Sequence, residues 1–131
     1  EVAMDKGGAN VATPGAGAYY ITIKTTDEGD SWTASMTPNG WGIIGAGSPV
    51  GNWDNDMDLT AAGFDGGITT YTITGDFVGG EFKFRAGDAW DYNLGGDMMS
   101  LEADGGNLNA SAGSQTATLT YDGETYSVTV Q

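Results

Sequence analysis

Apolar and polar residues alternate at every second position along several short segments of the chain, which is the period of a β-strand. A strong two-residue hairpin signal, Asp122-Gly123, separates the last two of these segments. No long window carries the 3.6-residue period of an amphipathic helix. The alternating segments are residues 18–25, 31–36, 68–75, 80–86, 115–121 and 124–130. The pattern therefore predicts an all-β fold of short antiparallel strands joined by tight turns.

Two of the four Lys and Arg residues stand in segment 80–86, which we interpret as the central strand. Phe82 and Phe84 share one face of this strand and suit a hydrophobic core. Lys83 and Arg85 share the other face, side by side in an otherwise anionic chain. Cationic side chains donate hydrogen bonds to hydroxyl groups, although simple charge balance explains their presence equally well.

Two tryptophans add aromatic surface to this picture. Trp90 follows the central strand after a turn, and Trp53 lies within residues 47–59, which are predicted to form a loop. A flat indole offers apolar area and an N–H donor to the face of a sugar. Asp88 and Asn93 supply short polar side chains nearby, although each type is also common in turns. Together with the cations, these residues form a candidate site for a neutral, polyhydroxylated ligand.

Acidic residues dominate the charge of this 131-residue chain, because 18 Asp and Glu stand against 4 Lys and Arg, for a net charge of −14. Nucleic acids and anionic membrane surfaces bind basic patches, so the charge argues against both as partners. No apolar run approaches the roughly 18 residues of a transmembrane helix. The length fits one domain, or one domain with a piece of another.

The chain contains no histidine and no cysteine. Ser–His and Cys–His catalysis, disulfide bonds and metal sites built on these residues are therefore excluded. No glycine pattern of a nucleotide-binding loop is present. A carboxylate pair for glycoside hydrolysis stays open with 18 acidic residues, but nothing in the sequence marks one of them for a raised pKa. We expect a non-catalytic protein without a cofactor.

Alternating acids at Asp54, Asp56 and Asp58 invite comparison with the start of a calcium-binding loop. Such a loop needs glycine at its sixth position and glutamate at its twelfth, where this chain has Leu59 and Asp65. We therefore predict no metal site, with calcium at the three aspartates as the alternative.

The first predicted hairpin repeats the last one. Residues 21–23 match residues 117–119 in pattern, 96 positions later in the chain. A recurrence at this distance has the length of one β-sandwich module. We therefore interpret residues 1–37 as the closing hairpin of a preceding similar module, or as an N-terminal extension, and residues 38–131 as one complete module. The alternative is that hairpins of Thr and aliphatic residues look alike.

Several segments resemble, in order and spacing, the modules of SusE/SusF-like proteins over about 90 residues. In this chain, residues 41–45 (WGIIG) and 51–59 (GNWDNDMDL) resemble the opening of such a module. Residues 80–85 (GEFKFR) and 90–96 (WDYNLGG) resemble its central hairpin. Residues 105–107 (GGN) and 112–113 (AG), with the final hairpin, resemble its close. The resemblance implies an immunoglobulin-like antiparallel β-sandwich. Proteins of this family are surface lipoproteins of Bacteroidetes glycan-uptake systems, whose modules bind starch without hydrolysing it.

The resemblance also implies roles for the candidate residues. Sites in this family use two aromatic platforms, a Lys or Arg and nearby polar side chains, although not every module binds. The implied ligand is an α-glucan or another polysaccharide, and the implied partners are other glycan-uptake components at the outer membrane. The lipid anchor implied for such proteins is not part of this chain. The implied ligand-binding residues are Trp53, Lys83, Arg85, Asp88, Trp90 and Asn93.

A structural spacer, or a protein-interaction module of the same fold, is the alternative to glycan binding. That hypothesis predicts that Trp53 and Trp90 are buried in the core. The binding hypothesis predicts that both indoles present surface to solvent. Trp41 and Trp32 are expected to pack in the core or between modules under either hypothesis.

Overall fold

The computed structural model describes residues 2–5, 7–12, 19–26, 31–38 and 40–131. Within these residues the regular elements are β-strands and no helix occurs. Consequently, no helix of the described chain is long and apolar enough to cross a membrane. The chain divides into two compact units, Glu1–Gly40 (unit 1) and Trp41–Gln131 (unit 2). That residues 1–37 close a preceding module stays a prediction.

Unit 1 contains three antiparallel strands in the order β1-β3-β2: β1 (Val2–Met4), β2 (Tyr19–Thr26) and β3 (Ser31–Pro38). The predicted hairpin of β2 and β3 is present, with Ile21 opposite Met36 and Ile23 opposite Ala34. Strands that pair in this register carry their alternating apolar residues on one common face. The predicted turn at residues 27–30 lies outside the described residues.

Unit 2 is one continuous antiparallel sheet that curls on itself, in the order β5-β4-β8-β9-β10-β13-β12-β7-β6, with β11 paired to β8. The predicted all-β, sandwich-like antiparallel fold is thus confirmed. Its strands are β4 (Trp41–Gly45), β5 (Asn52–Asp58), β6 (Thr60–Asp65), β7 (Ile68–Phe77), β8 (Gly80–Ala86), β9 (Asn93–Asp97), β10 (Ser100–Ala103), β11 (Leu108–Ala110), β12 (Gly113–Tyr121) and β13 (Tyr126–Val130).

The sheet turns a corner where β9 separates from β8 while it stays paired with β10 on its other edge. β9 contacts β8 only through Phe84–Leu94 and Arg85–Asn93, and β11 then takes its place along β8. Gly95 stands at this corner, where a Cβ atom would lie 2.1 Å from the carbonyl oxygen of Gly106. No other residue type fits so close a backbone approach, so glycine here permits the curl.

The inward face of the central strand β8 forms the core of unit 2. Phe82 and Phe84 are fully buried, and their rings meet edge to face with centroids 5.7 Å apart. Ile43 on β4 and Leu119 on β12 are also fully buried. The alternation in β8 therefore identified Phe82 and Phe84 as core residues correctly. Trp41 is buried as well, as predicted.

Residues 47–59 are not a loop throughout, so this prediction was wrong for β5, which spans Asn52–Asp58 and pairs with β4. β6 at Thr60–Asp65 was missed in the same way. Both strands lie at the two ends of the sheet order. Every residue of β6 is exposed, and β5 has no fully buried position. Edge strands that bury neither face show no apolar alternation, and therefore give no signal in the sequence.

Candidate functional site

Trp53 is positioned by the bulged start of β5. The register between β4 and β5 shifts at this point. Asn52 Oδ1 accepts the N–H groups of Asp54 (2.9 Å) and Asn55 (3.0 Å), and its Nδ2 donates to the carbonyl oxygen of Val50 at 2.9 Å. A bulge re-aims the side chains around it. Trp53 is half-buried on a strand whose other residues, apart from Met57, are polar.

Trp90 is carried by the loop between β8 and β9. The N–H of Ala86 donates to the carbonyl oxygen of Tyr92 at 2.9 Å and closes this loop. Asn93 fastens it from the next strand, because its Nδ2 donates to the carbonyl oxygen of Trp90 (3.0 Å) and to Asp104 Oδ1 (2.7 Å). Trp90 nevertheless leaves 43% of its surface exposed. The loop therefore presents the indole to solvent on a hydrogen-bonded base.

The two indoles form a tilted pair. The ring centroids of Trp53 and Trp90 are 6.2 Å apart, and their planes meet at 35°. The guanidinium carbon of Arg85 lies 5.4 Å from the ring centroid of Trp90, within the range of a cation–π contact. A strand and a loop far apart in sequence thus contribute one aromatic surface, with a cation over the ring of Trp90.

Arg85 is the structural centre of this region rather than an exposed donor. Its Nε donates to Asp56 Oδ2 at 2.5 Å, and the two side chains are only 8% and 7% exposed. The pair spans β4, where Gly42 stands opposite both Arg85 and Asp58. A Cβ on Gly42 would lie 2.8 Å from Asp56 Cγ. The missing side chain at Gly42 therefore makes room for the ion pair.

An acidic recess adjoins the aromatic pair. Oxygen atoms of Asp56, Asp58 and Asp88 lie within 4.8 Å of one another. The charge of Asp56, with a side-chain hydrogen bond to the same residue, raises the pKa of Asp88 above its ordinary value, and Arg85 opposes this rise. The recess has a volume of about 480 Å³ and is lined by Asp54, Asn55, Asp56, Asp58, Arg85 and Asp88.

The carboxylates that meet are not the three that the sequence spacing suggested. Asp88, from the loop after β8, joins Asp56 and Asp58, while Asp54 lies outside the described group. Carboxylate oxygens are the ligands that calcium prefers, so these three residues are the ones that could hold a divalent cation. Asp56 is already engaged by Arg85, however, which neutralises part of the charge that a cation would need.

The other predicted site residues have different surroundings. Lys83 is half-buried, and its Cε lies 3.0 Å from the position of a Cβ on Gly95, so its stem covers the corner glycine. In the described part of the chain Lys83 makes no ion pair. Asp88 is exposed at the rim of the recess. Asn93 is buried and supports the Trp90 loop, so its amide nitrogen is already used.

The sequence interpretation missed the partners of Arg85. Asp56 was considered only as a possible calcium ligand, and Gly42 was part of a short apolar strand. One signal was available, because an Arg on a central strand with small neighbours is expected to bury its stem and needs an acid partner. Several acids were candidates, however, and only strand order selects Asp56.

Comparison of the chain with protein-family models, curated proteins and solved structures gave no match. The resemblance noted in the sequence therefore receives no support from known relatives. Function is therefore inferred from the geometry of the indole pair and its surroundings.

Proposed function

We propose that unit 2 binds a neutral oligosaccharide of the α-glucan (starch) type without hydrolysing it. The observation that supports this proposal most directly is the tilted indole pair, whose ring centroids are 6.2 Å apart and whose planes meet at 35°. An α-glucan chain is curved, so two rings set at an angle match its apolar faces better than coplanar rings would. Trp90, which is 43% exposed, is the main platform, and Trp53 is the second.

Hydrogen-bond donors and acceptors complete the proposed site. Lys83 shares the outward face of β8 with Arg85 and offers an ammonium group without an ion-pair partner in the described chain. Asp88 and the recess beside it offer acceptors for sugar hydroxyl groups. Arg85 and Asn93 act as positioning residues, because one contacts the indole of Trp90 and the other fixes its loop.

One shallow site of this kind gives weak binding, on the order of 1 mM to tens of μM in Kd. The exposure of Trp90 favours binding over the spacer hypothesis, which requires both indoles to be buried. Surface location at the bacterial outer membrane, beside other glycan-uptake components, follows only from the resemblance and is part of the proposal. Tandem modules would raise the overall affinity through effective concentration.

The test is titration of the full chain with maltoheptaose, followed by tryptophan fluorescence and calorimetry. We expect saturable binding, a weaker response to the flat β-linked cellohexaose, and no release of reducing sugar. Trp90→Ala should abolish binding. Phe64→Ala is the matched control, because Phe64 is a 70% exposed aromatic on β6, at the other end of the sheet order.

Absence of both heat and a fluorescence change at about 10 mM maltoheptaose, well above the expected Kd range, would overturn the proposal. A protein-interaction role without a glycan site would then be the better assignment for unit 2. Equal loss of binding in Trp90→Ala and Phe64→Ala would also contradict it, because the effect would not belong to the indole pair. Release of reducing sugar would contradict the non-catalytic part alone.

A further inference from the structure

The three strands of unit 1 reproduce three strands of unit 2, pair by pair. The order β1-β3-β2 corresponds to β10-β13-β12. The residues matched by the 96-position repeat also stand in matching register. The corresponding pairs are Ile21–Met36 and Ala117–Val130, Ile23–Ala34 and Leu119–Val128, Thr25–Trp32 and Tyr121–Tyr126, and Met4–Trp32 and Leu101–Tyr126. Similar hairpins alone do not explain agreement that extends to a third strand.

The strand edge that is paired in unit 2 has no partner strand in the described part of unit 1. β12 pairs with β7 along its full length, from Gly113–Phe77 to Tyr121–Thr69. Leu119 on that strand is fully buried. In the described part of unit 1, β2 pairs with β3 alone. Ile23, which corresponds to Leu119, is 56% exposed.

Within the described residues, the exposed surface of unit 1 combines an apolar face with a strand edge that has no partner. Ile21 is 61% exposed beside Ile23, so two β-branched aliphatic side chains stand in a row on β2. Unpaired N–H and C=O groups along such an edge are a template for another strand. The edge carries one cation, Lys24, on the opposite face. β2 is therefore an edge with little protection against pairing.

We propose that β2 and its Ile21–Ile23 face dock a strand of the β7 type, carried by another sandwich module of the same kind. The interface that we infer is of the same kind as the one between β12 and β7 in unit 2. β7 of this chain is flanked on both edges, by β12 and by β6, and is thus occupied. The partner strand must come from a different module. By register, its counterparts of Ile73 and Tyr71 stand opposite Ile21 and Ile23.

The test uses the full chain and a synthetic peptide of residues 68–77, with amide hydrogen exchange as the readout. In the chain alone we expect the outer amides of β2 to exchange much faster than the matched amides of β12. Peptide at up to about 1 mM, the weak end of the affinity scale, should slow exchange in β2 about tenfold and leave β12 unchanged.

Variants of β2 separate the apolar face from the edge as a whole. Ile23→Lys should remove the peptide-dependent protection, because a charge would be buried opposite the tyrosine of the peptide. Lys24→Thr, which introduces the residue found at the corresponding position in β12, should retain it. If Ile23→Lys unfolds unit 1, Ile21→Thr keeps strand propensity and should weaken the protection without abolishing it.

Several outcomes would overturn the proposal. They are absence of protection in β2 at about 1 mM peptide, protection of β2 in the monomeric chain without peptide, and full protection retained by Ile23→Lys. Protection without peptide that rises with protein concentration, together with a dimer mass by sedimentation, would assign the surface to a second copy of the chain instead.

Discussion

Removal of Arg85 should destabilise unit 2 more than removal of its partner Asp56. The two side chains form an ion pair of 2.5 Å, and both are more than nine-tenths buried. The changes to be made are Arg85→Gln in one variant and Asp56→Asn in another. Each replaces a charged group by a neutral amide; Asn matches Asp in shape, whereas Gln is shorter than Arg. The asymmetry arises because Asp58 and Asp88 lie beside Asp56, within 4.8 Å between oxygen atoms.

The expected magnitudes follow from this arrangement. Removal of one partner from a buried ion pair typically costs about 3–5 kcal/mol. After Asp56→Asn, the two remaining carboxylates still line the recess beside Arg85 and attract it. Because Asp58 and Asp88 are exposed, less than half of that attraction survives solvent screening. We expect a loss of about 2 kcal/mol for Asp56→Asn.

Arg85→Gln has no such compensation and leaves three neighbouring carboxylates without a cation. We therefore expect the full loss of about 3–5 kcal/mol. Added salt should reduce this loss, because it screens repulsion among the exposed carboxylates. The pH dependence should also change, because loss of Arg85 removes the charge that opposes the raised pKa of Asp88, so the variant should gain stability in mild acid as Asp88 takes up a proton.

The assay is urea denaturation followed by tryptophan fluorescence, because three of the four tryptophans belong to unit 2. The double variant completes a thermodynamic cycle that isolates the coupling between the two residues. Equal losses in the two single variants, or a larger loss for Asp56→Asn, would refute the assignment of Arg85 as the cation of the whole cluster. Losses below about 0.5 kcal/mol in both would refute burial of the pair.

Three further changes test other parts of unit 2. Gly95→Ala should lower the free energy of unfolding by about 1–3 kcal/mol in urea denaturation, because its Cβ would meet a carbonyl oxygen at the sheet corner. Gly106→Ala is the control: the new Cβ has open space around it, so the free energy of unfolding should change by no more than about 0.5 kcal/mol. Phe84→Ala should cost about 3–5 kcal/mol by opening a cavity in the core, and a smaller loss would contradict its full burial. Asp88→Asn should flatten the pH dependence of stability. The folded-state pKa of Asp88 is raised, so wild-type stability falls as pH rises from the unfolded-state pKa to the folded-state pKa. An unchanged slope in the variant would disprove the carboxylate cluster.

The sequence by itself determined which segments of unit 2 face the core. The two-residue period placed Phe82 and Phe84 inside and Lys83 outside, as the structure shows. The last hairpin was also predicted, but with a two-residue turn, whereas Tyr121 pairs with Tyr126 and the turn has four residues. Asp122 closes this longer turn, because its side chain accepts the N–H groups of Glu124 and Thr125. These features are local, because side-chain alternation and turn chemistry depend on residues only a few positions apart.

The two-residue alternation could not predict the edge strands. β5 and β6 bury neither face fully, so selection for apolar residues leaves no alternation to detect. The alternation also did not predict that Arg85 is buried in an ion pair. The alternation placed it on the outer face correctly, but outer does not mean exposed when a neighbouring strand supplies Asp56 and a glycine clears the space between them.

Only the tertiary structure decided which distant residues meet. Asp56 and Arg85 are 29 positions apart, and they pair because β5 and β8 flank β4 in the sheet. Trp53 and Trp90 meet at 35° because a bulge and a hydrogen-bonded loop aim them together. Strand order and register arise from packing of the whole sheet, and so they are not encoded in the spacing of any single segment.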